Sequence, residues 1–146
     1  MQINGDCCRD ILGYLIDNLQ IQYDEGHEKF SYLCIDTLTL IRNLASDKYT
    51  GEDIIYSVNI LAECRFIEGN KLRERIAVNT AFQEIFNVTY GGHQFYESIK
   101  PQPIWDKTKS IVSKVGVHTL GFIEGVAHDI AVESAKQAVT ISMSQK

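Results

Sequence analysis

The segment from Thr50 to Tyr90 changes its periodicity three times, and the order of those changes restricts the fold more than any other feature of the chain. Thr50 precedes a run in which Ile54, Val58, Leu61 and Ala62 recur at helical spacing, with Ile55 and Tyr56 close by. Asp53 stands three residues after Thr50, where a carboxylate reaches back to the cap backbone, so the pair reads as a capping box with Asp in place of Glu. The spacing predicts a helix over 50–64. Directly after it come Phe66 to Asn70, the charged stretch Lys71 to Arg75, and then Glu84 to Tyr90, in which Ile85, Phe86 and Val88 have a strand-like pattern. Helix, strand, polar connection and strand make the wing half of a winged helix-turn-helix if the helices before Thr50 supply the turn motif.

The flanks are predominantly helical. Cys8, Ile11, Leu12, Leu15 and Ile16 define an amphipathic helix over 7–19, with Asp6 as its N-cap. Residues 20–29 are polar and acidic and read as a mobile loop; Phe30 to Ile35 reads as a strand; Thr37 then caps a helix over Leu38, Leu40, Ile41 and Leu44. After Gly91 and Gly92, the pattern His93, Phe95, Tyr96, Ile99 predicts a short helix ended by Pro101 and Pro103. Ile104 to Val115 forms an amphipathic helix around Trp105, Thr108, Ile111 and Val112, and residues 118–142 a long one with Leu120, Ile123, Ala127, Ile130, Ala131 and Ala138 in its stripe. The expected architecture is mainly α with a small antiparallel β wing: a winged helix-turn-helix domain over 1–100 and a C-terminal helical extension over 101–146. Phe30, Leu40, Ile41, Ile54, Leu61, Phe86, Phe95 and Trp105 are the expected core.

Composition narrows the classes of function. With 146 residues, 45% hydrophobic content and a net charge of -5, the chain fits one ordinary globular domain that needs no disulfide or metal to hold it. Charged residues interrupt every apolar run before the roughly 18 residues of a membrane span, and the N-terminus has neither a basic region nor an apolar stretch of signal-peptide type, so the expected compartment is the cytoplasm. Cys7, Cys8, Cys34 and Cys64 contain no C-x2-C pair, and Cys8, Cys34 and Cys64 fall on apolar stretches, where a thiol acts as a small hydrophobe. His27, His93, His118 and His128 make no i,i+4 pair; nucleophile elbows and phosphate-cradling glycine loops are missing. The expectation is a non-enzymatic protein without a cofactor.

Three stretches carry a family resemblance. Tyr49-Thr50-Gly51-Glu52-Asp53-Ile54-Ile55-Tyr56, continuing to Leu61-Ala62-Glu63-Cys64-Arg65-Phe66-Ile67-Glu68, resembles the Y-S-x-E-E-I-x-Y-H-x-x-x-L-x-E-A-G-L-I-E core of the phage and bacterial family catalogued as domain of unknown function 2513. Val88-Thr89-Tyr90-Gly91-Gly92-His93-Gln94-Phe95 is similar to that family's L-T-W-E-G-H-E-F run, and Ile104-Trp105-Asp106-Lys107-Thr108-Lys109 to the V-W-x-K-x-K that follows it. Arg65 departs from the pattern, which has Gly there. The resemblance implies a winged-helix fold and a prophage setting, and brings no activity with it.

A winged helix meets DNA by laying its second motif helix in the major groove and touching phosphate with the wing. The helix over 50–64 carries Glu52, Asp53 and Glu63 and no Lys or Arg, a charge of -3 that repels phosphate; Tyr56 and Asn59 are its candidate base-edge contacts. Residues 65–75 carry Arg65, Lys71, Arg73 and Arg75 against Glu68 and Glu74, and residues 100–114 carry Lys100, Lys107, Lys109 and Lys114 against Asp106, which makes Arg65, Lys71, Arg73, Arg75, Lys107 and Lys109 the candidate phosphate contacts. Residues 1–36 carry Arg9 and Lys29 against seven acids. The primary expectation is regulation by DNA binding. The alternative is a protein-docking module, such as a phage-encoded inhibitor of a host defence or nucleic-acid-handling complex, in which Asp24, Glu25 and Glu28 imitate phosphate charge for a basic partner. Gly121, Gly125 and Ala131 form a small-residue ridge suited to a homodimer through the last helix.

Overall fold

The computed structural model describes residues 2–71 and 82–144. Helix α1 (Gly5–Asn18) buries Cys7, Cys8, Ile11, Leu12 and Leu15, the stripe its spacing predicts. Its N-cap is Asn4, not Asp6: the Asn4 Oδ1 accepts the Cys7 N–H at 3.0 Å, and Asp6 sits in the first turn, where its charge favours the helix dipole. The chain then forms a hairpin of β1 (Gln20–Asp24) and β2 (Lys29–Leu33), so the loop expected over 20–29 is corrected to a strand, a turn and the start of a second strand. The turn is tied by Asp24, whose Oδ1 accepts the Gly26 N–H at 3.0 Å and whose Oδ2 lies 2.7 Å from His27 Nδ1.

Strand β3 (Ile35–Asp36) leads straight into helix α2 (Thr37–Leu44). Asp36, not Thr37, caps α2, accepting from the Thr39 N–H at 2.7 Å and the Thr39 hydroxyl at 2.8 Å, and these bonds lower the Asp36 carboxyl below its ordinary value. Thr37 is instead fully buried, with its Oγ1 accepting the Gln83 N–H at 2.8 Å and donating to the Gln83 carbonyl at 3.3 Å. The hydroxyl thereby extends the β3 pairing by one position after the backbone has already turned helical. Helix α3 (Gly51–Glu63) starts with the expected capping box: the Thr50 hydroxyl accepts the Asp53 N–H at 3.2 Å and Asp53 Oδ2 accepts the Thr50 N–H at 3.0 Å.

Helix α3 ends in a Schellman motif, with the Arg65 N–H bonded to the Ala62 carbonyl and the Phe66 N–H to the Leu61 carbonyl. Arg65 holds the left-handed position of that motif at φ 59°, which accounts for the glycine of the family pattern at this place. Strands β4 (Ile67–Lys71) and β5 (Gln83–Val88) follow, and the three-stranded antiparallel sheet has the order β3-β5-β4. Pairing passes from Glu68↔Asn87 to Gly69↔Ile85, leaving Phe86 as an extra residue in β5. The bulge puts Ile85 and Val88 together in the core and turns Phe86 to a half-buried place against Tyr32, with ring centroids 5.5 Å apart. A side chain at Gly69 would lie 2.7 Å from the Glu84 carbonyl oxygen, so the bulge requires glycine there.

The core of this unit combines the α1 stripe with Leu40, Ile54, Val58, Leu61, Ile35, Ile67, Ile85, Val88, Tyr49 and Phe66. Of the expected core, Leu40, Ile54, Leu61, Phe95 and Trp105 are buried, whereas Ile41 and Phe86 are half-buried and Phe30 is 72% exposed because its hairpin does not fold onto the core. Burial pushes the Cys7 thiol up to about 11 and the Cys8 thiol up to about 12, with the Ser57 hydroxyl pulling the other way. Cys64 is corrected from an apolar position to an exposed one at the α3 C-cap, and Cys34 is only half-buried. Tyr49 donates to Asp10 Oδ2 at 2.6 Å, and burial followed by that carboxylate drives its phenol well above the usual range.

The chain forms two compact units, Met1–His93 and Gln94–Lys146. Helix α4 (Tyr90–Ile99) begins in the first, where the Thr89 hydroxyl accepts the Gly92 N–H at 3.1 Å and donates to the Arg65 carbonyl at 2.7 Å. A side chain at Gly92 would run into the Phe66 carbonyl oxygen, so the Thr-x-x-Gly of the family pattern is a clamp of α4 on the α3–β4 corner. The second unit holds α5 (Gln102–Val115), which starts two residues earlier than the apolar pattern because Pro103 fits a first helical turn, and α6 (Leu120–Ser144), packed against it through Leu120, Ile123 and Ala127. The Pro101–Pro103 pair thus lies inside the second unit. Among the described residues the protein is mainly helical, with six helices, small antiparallel sheets and a long C-terminal helix, and no helix is long and apolar enough to cross a membrane.

Candidate nucleic-acid interface

Helix α3 buries Ile54, Ser57, Val58 and Leu61, which leaves Glu52, Tyr56, Asn59 and Glu63 along its outer side. Between that side and the β4–β5 pair runs an open groove of about 490 Å³ lined by Tyr56, Asn59, Glu63, Gly69, Lys71 and Gln83 among others. Three of the sequence-derived candidates, Tyr56, Asn59 and Lys71, therefore meet in one place. Gln83, which the sequence reading missed, holds the site: 4% exposed and fixed to Thr37 through its backbone, it donates its side-chain amide to Asn59 Oδ1 at 2.6 Å. The bond leaves the Asn59 carbonyl engaged and its NH2 group turned to other partners.

The electrostatics of the groove are mixed. Of the three acids of α3, Glu63 lines the groove and opposes a phosphate there, Asp53 is engaged by its own helix N-terminus, and Glu52 is exposed on the same helix outside the lining. Arg65 lies outside this groove, beside a separate one with Glu68, Phe86 and Thr89. Arg73 and Arg75 lie outside the described residues. In the second unit, Lys107 lines a groove with Asp129 and Glu133, and Lys109 places its ammonium 5.8 Å from the centroid of the buried Trp105 ring. Asp24, Glu25 and Glu28 come together at the β1–β2 turn, with Glu28 at φ 47°. Gly121 and Gly125 are exposed, with open space where a side chain would stand, and Ala131 is half-buried. Among the described residues no group of three or more His, Cys, Asp or Glu side chains is placed to hold a metal ion.

Described by its own features, the chain is a mainly helical protein with a polar groove between a helix and a bulged strand pair. Residues 2–118 match the family described as hypothetical protein (DUF2513), and the chain belongs to that family. The match ends two residues before α6 begins. No curated protein and no solved structure matches the chain.

Proposed function

We propose that the first unit is a winged helix that binds duplex DNA, with α3 directed to the major groove and the β4–β5 connection to phosphate, and that the protein is a non-enzymatic regulator. The observation that supports this reading is the order α1, β1, β2, β3, α2, α3, β4, β5 together with the sheet order β3-β5-β4, which, with the β1–β2 hairpin as an insertion, is the order expected of a helix-turn-helix followed by a wing. The polar groove along α3 adds Tyr56 and Asn59 as base-edge contacts and Lys71 as a phosphate contact, and Arg65, Arg73 and Arg75 bring the same charge from nearby in sequence. A fluorescent random-sequence duplex titrated at about 50 and 200 mM salt is expected to bind more weakly at the higher salt, and an Arg73→Glu/Arg75→Glu variant is expected to lose binding. Absence of binding at the lower salt would sink this reading.

The net charge of residues 1–36, two cations against seven acids, favours a second reading in which Asp24, Glu25 and Glu28 dock a basic protein. That reading expects bare DNA to stay unbound and the charge reversal Glu25→Lys/Glu28→Lys to abolish docking. A two-fold pair through Gly121, Gly125 and Ala131 is a separate proposal that neither reading requires; on it, sedimentation is expected to show a dimer that Gly125→Leu converts to monomer.

A further inference from the structure

The β1–β2 hairpin gathers an isoleucine and three aromatic rings on one face. Opposed pairs share a face, and the register sets Ile21 against Tyr32 and Tyr23 against Phe30, with Gln20, Gln22, Asp24, Lys29, Ser31 and one apolar residue, Leu33, on the other. The four residues are 64%, 53%, 51% and 72% exposed in that order, and Tyr23 and Phe30 keep their rings 5.0 Å apart. An isolated two-stranded hairpin is marginal in water, and a contiguous apolar patch marks an interaction site. The face runs into a groove of mixed character, about 240 Å³, at the hairpin base, lined by Leu15, Leu19, Phe86 and Val88 together with Gln20, Asn87 and His93. Among the described residues β1 pairs with β2 alone, so its second edge offers backbone donors and acceptors to an added strand.

We infer that this face docks a short extended segment of a partner protein in which apolar residues alternate with Lys or Arg. Two observations select that occupant over a second copy. Three aromatic rings and one isoleucine exposed by half or more amount to roughly 450 Å², well below the about 800 Å² that each member of a stable protein pair buries. The rim is acidic at the turn, where Glu25 and Glu28 stand beside an Asp24 that is engaged by His27 and opposed by Lys29, so two copies bring like charge together whereas a basic segment is attracted. The alternation matters as much as the charge: in a strand added at the β1 edge every second side chain falls on the aromatic face, and those between them lie on the polar face, where Lys29 stands opposite Asp24, so the attraction comes from Glu25 and Glu28 at the turn. The inference rests on and deepens the second reading, the docking of a basic protein, and is independent of the DNA-binding one.

The test is an amide-resolved NMR titration of the full chain with three synthetic peptides, alternating Val-Lys, Ser-Lys and Val-Glu. Saturable shifts at residues 20–33, Leu15 and Phe86 are expected with Val-Lys, with affinity lower by about tenfold for Ser-Lys, for Val-Glu and for a Phe30→Ser protein. Phe30 is mostly exposed, so that variant is expected to keep the parent melting curve; should it not, Glu25→Lys/Glu28→Lys carries the test alone, by shifting preference from Val-Lys to Val-Glu. Shifts that do not saturate or fall elsewhere overturn the inference, as does unchanged binding to Phe30→Ser. Equal affinity for Ser-Lys and Val-Lys overturns it in favour of charge mimicry alone. A dimer in sedimentation that Phe30→Ser dissolves overturns it in favour of a second copy.

Discussion

Thr37 shows how one hydroxyl can join two elements. Because its Oγ1 serves both backbone groups of Gln83, Thr37→Val keeps the shape and leaves a buried N–H and carbonyl without that partner, at a cost of about 1–3 kcal/mol in chemical denaturation, while Thr37→Ser is expected to stay near the parent. Arg65 makes the opposite case. A left-handed backbone costs a non-glycine residue about 1–2 kcal/mol, partly offset by the greater freedom of glycine when unfolded, so Arg65→Gly is expected to stabilise the fold by about 0.5–1 kcal/mol. On the DNA-binding reading the same change lowers affinity for duplex DNA, and the two readouts move in opposite directions. Asp36 supplies a pH dependence: its carboxyl is held below the ordinary value by two bonds from Thr39, so its contribution is complete above about pH 4 and fades as pH falls through the lower folded value. Asp36→Ala is therefore expected to flatten the acid limb of stability against pH.

At the scale of elements, α3 tests the electrostatic argument. Removing the two acids not engaged by the helix cap, as Glu52→Gln/Glu63→Gln, is expected to raise affinity for random-sequence duplex and leave the melting temperature nearly unchanged, since both side chains are exposed. If affinity does not change, α3 is not the surface that faces phosphate. The capping box of α3, the stripes of α1 and α3 and the buried parts of those of α5 and α6 are legible in the sequence because they depend on residues within two turns of each other, whereas Ile111 and Ala138, expected in the α5 and α6 stripes, are exposed. The hairpin at 20–33 was not recognised, although Ile21 and Tyr23 alternate with Gln20, Gln22 and Asp24, because the acidity of the stretch outweighed its period of two. Position in the strand β5 was harder still: the bulge at Phe86 is set by pairing with β4, and no residue within β5 alone announces it. The same holds for the groove, where Tyr56, Asn59 and Lys71 were named from their chemistry, whereas Gln83, twenty-four residues from Asn59, becomes visible only once the sheet brings it there.

Across the whole molecule, charge and apolar surface are unevenly distributed. Along the sequence, three of the seven acids of residues 1–36 stand at the hairpin turn, whereas residues 65–75 and 100–114 are net positive, so a docking partner and a nucleic acid draw on different segments of the chain. On that basis the Phe30→Ser variant is expected to keep the parent affinity for duplex DNA at matched salt, checked by repeating the duplex titration with it. The buried groups of the two units also differ in kind. Cys7 and Cys8 are sealed in the first and Trp105 in the second, with thiols too basic to react while covered. The chain thus contains its own test of cooperativity: thiol trapping follows opening of one unit and indole fluorescence the other, and coincident transitions would mean a single folding unit, separate ones two.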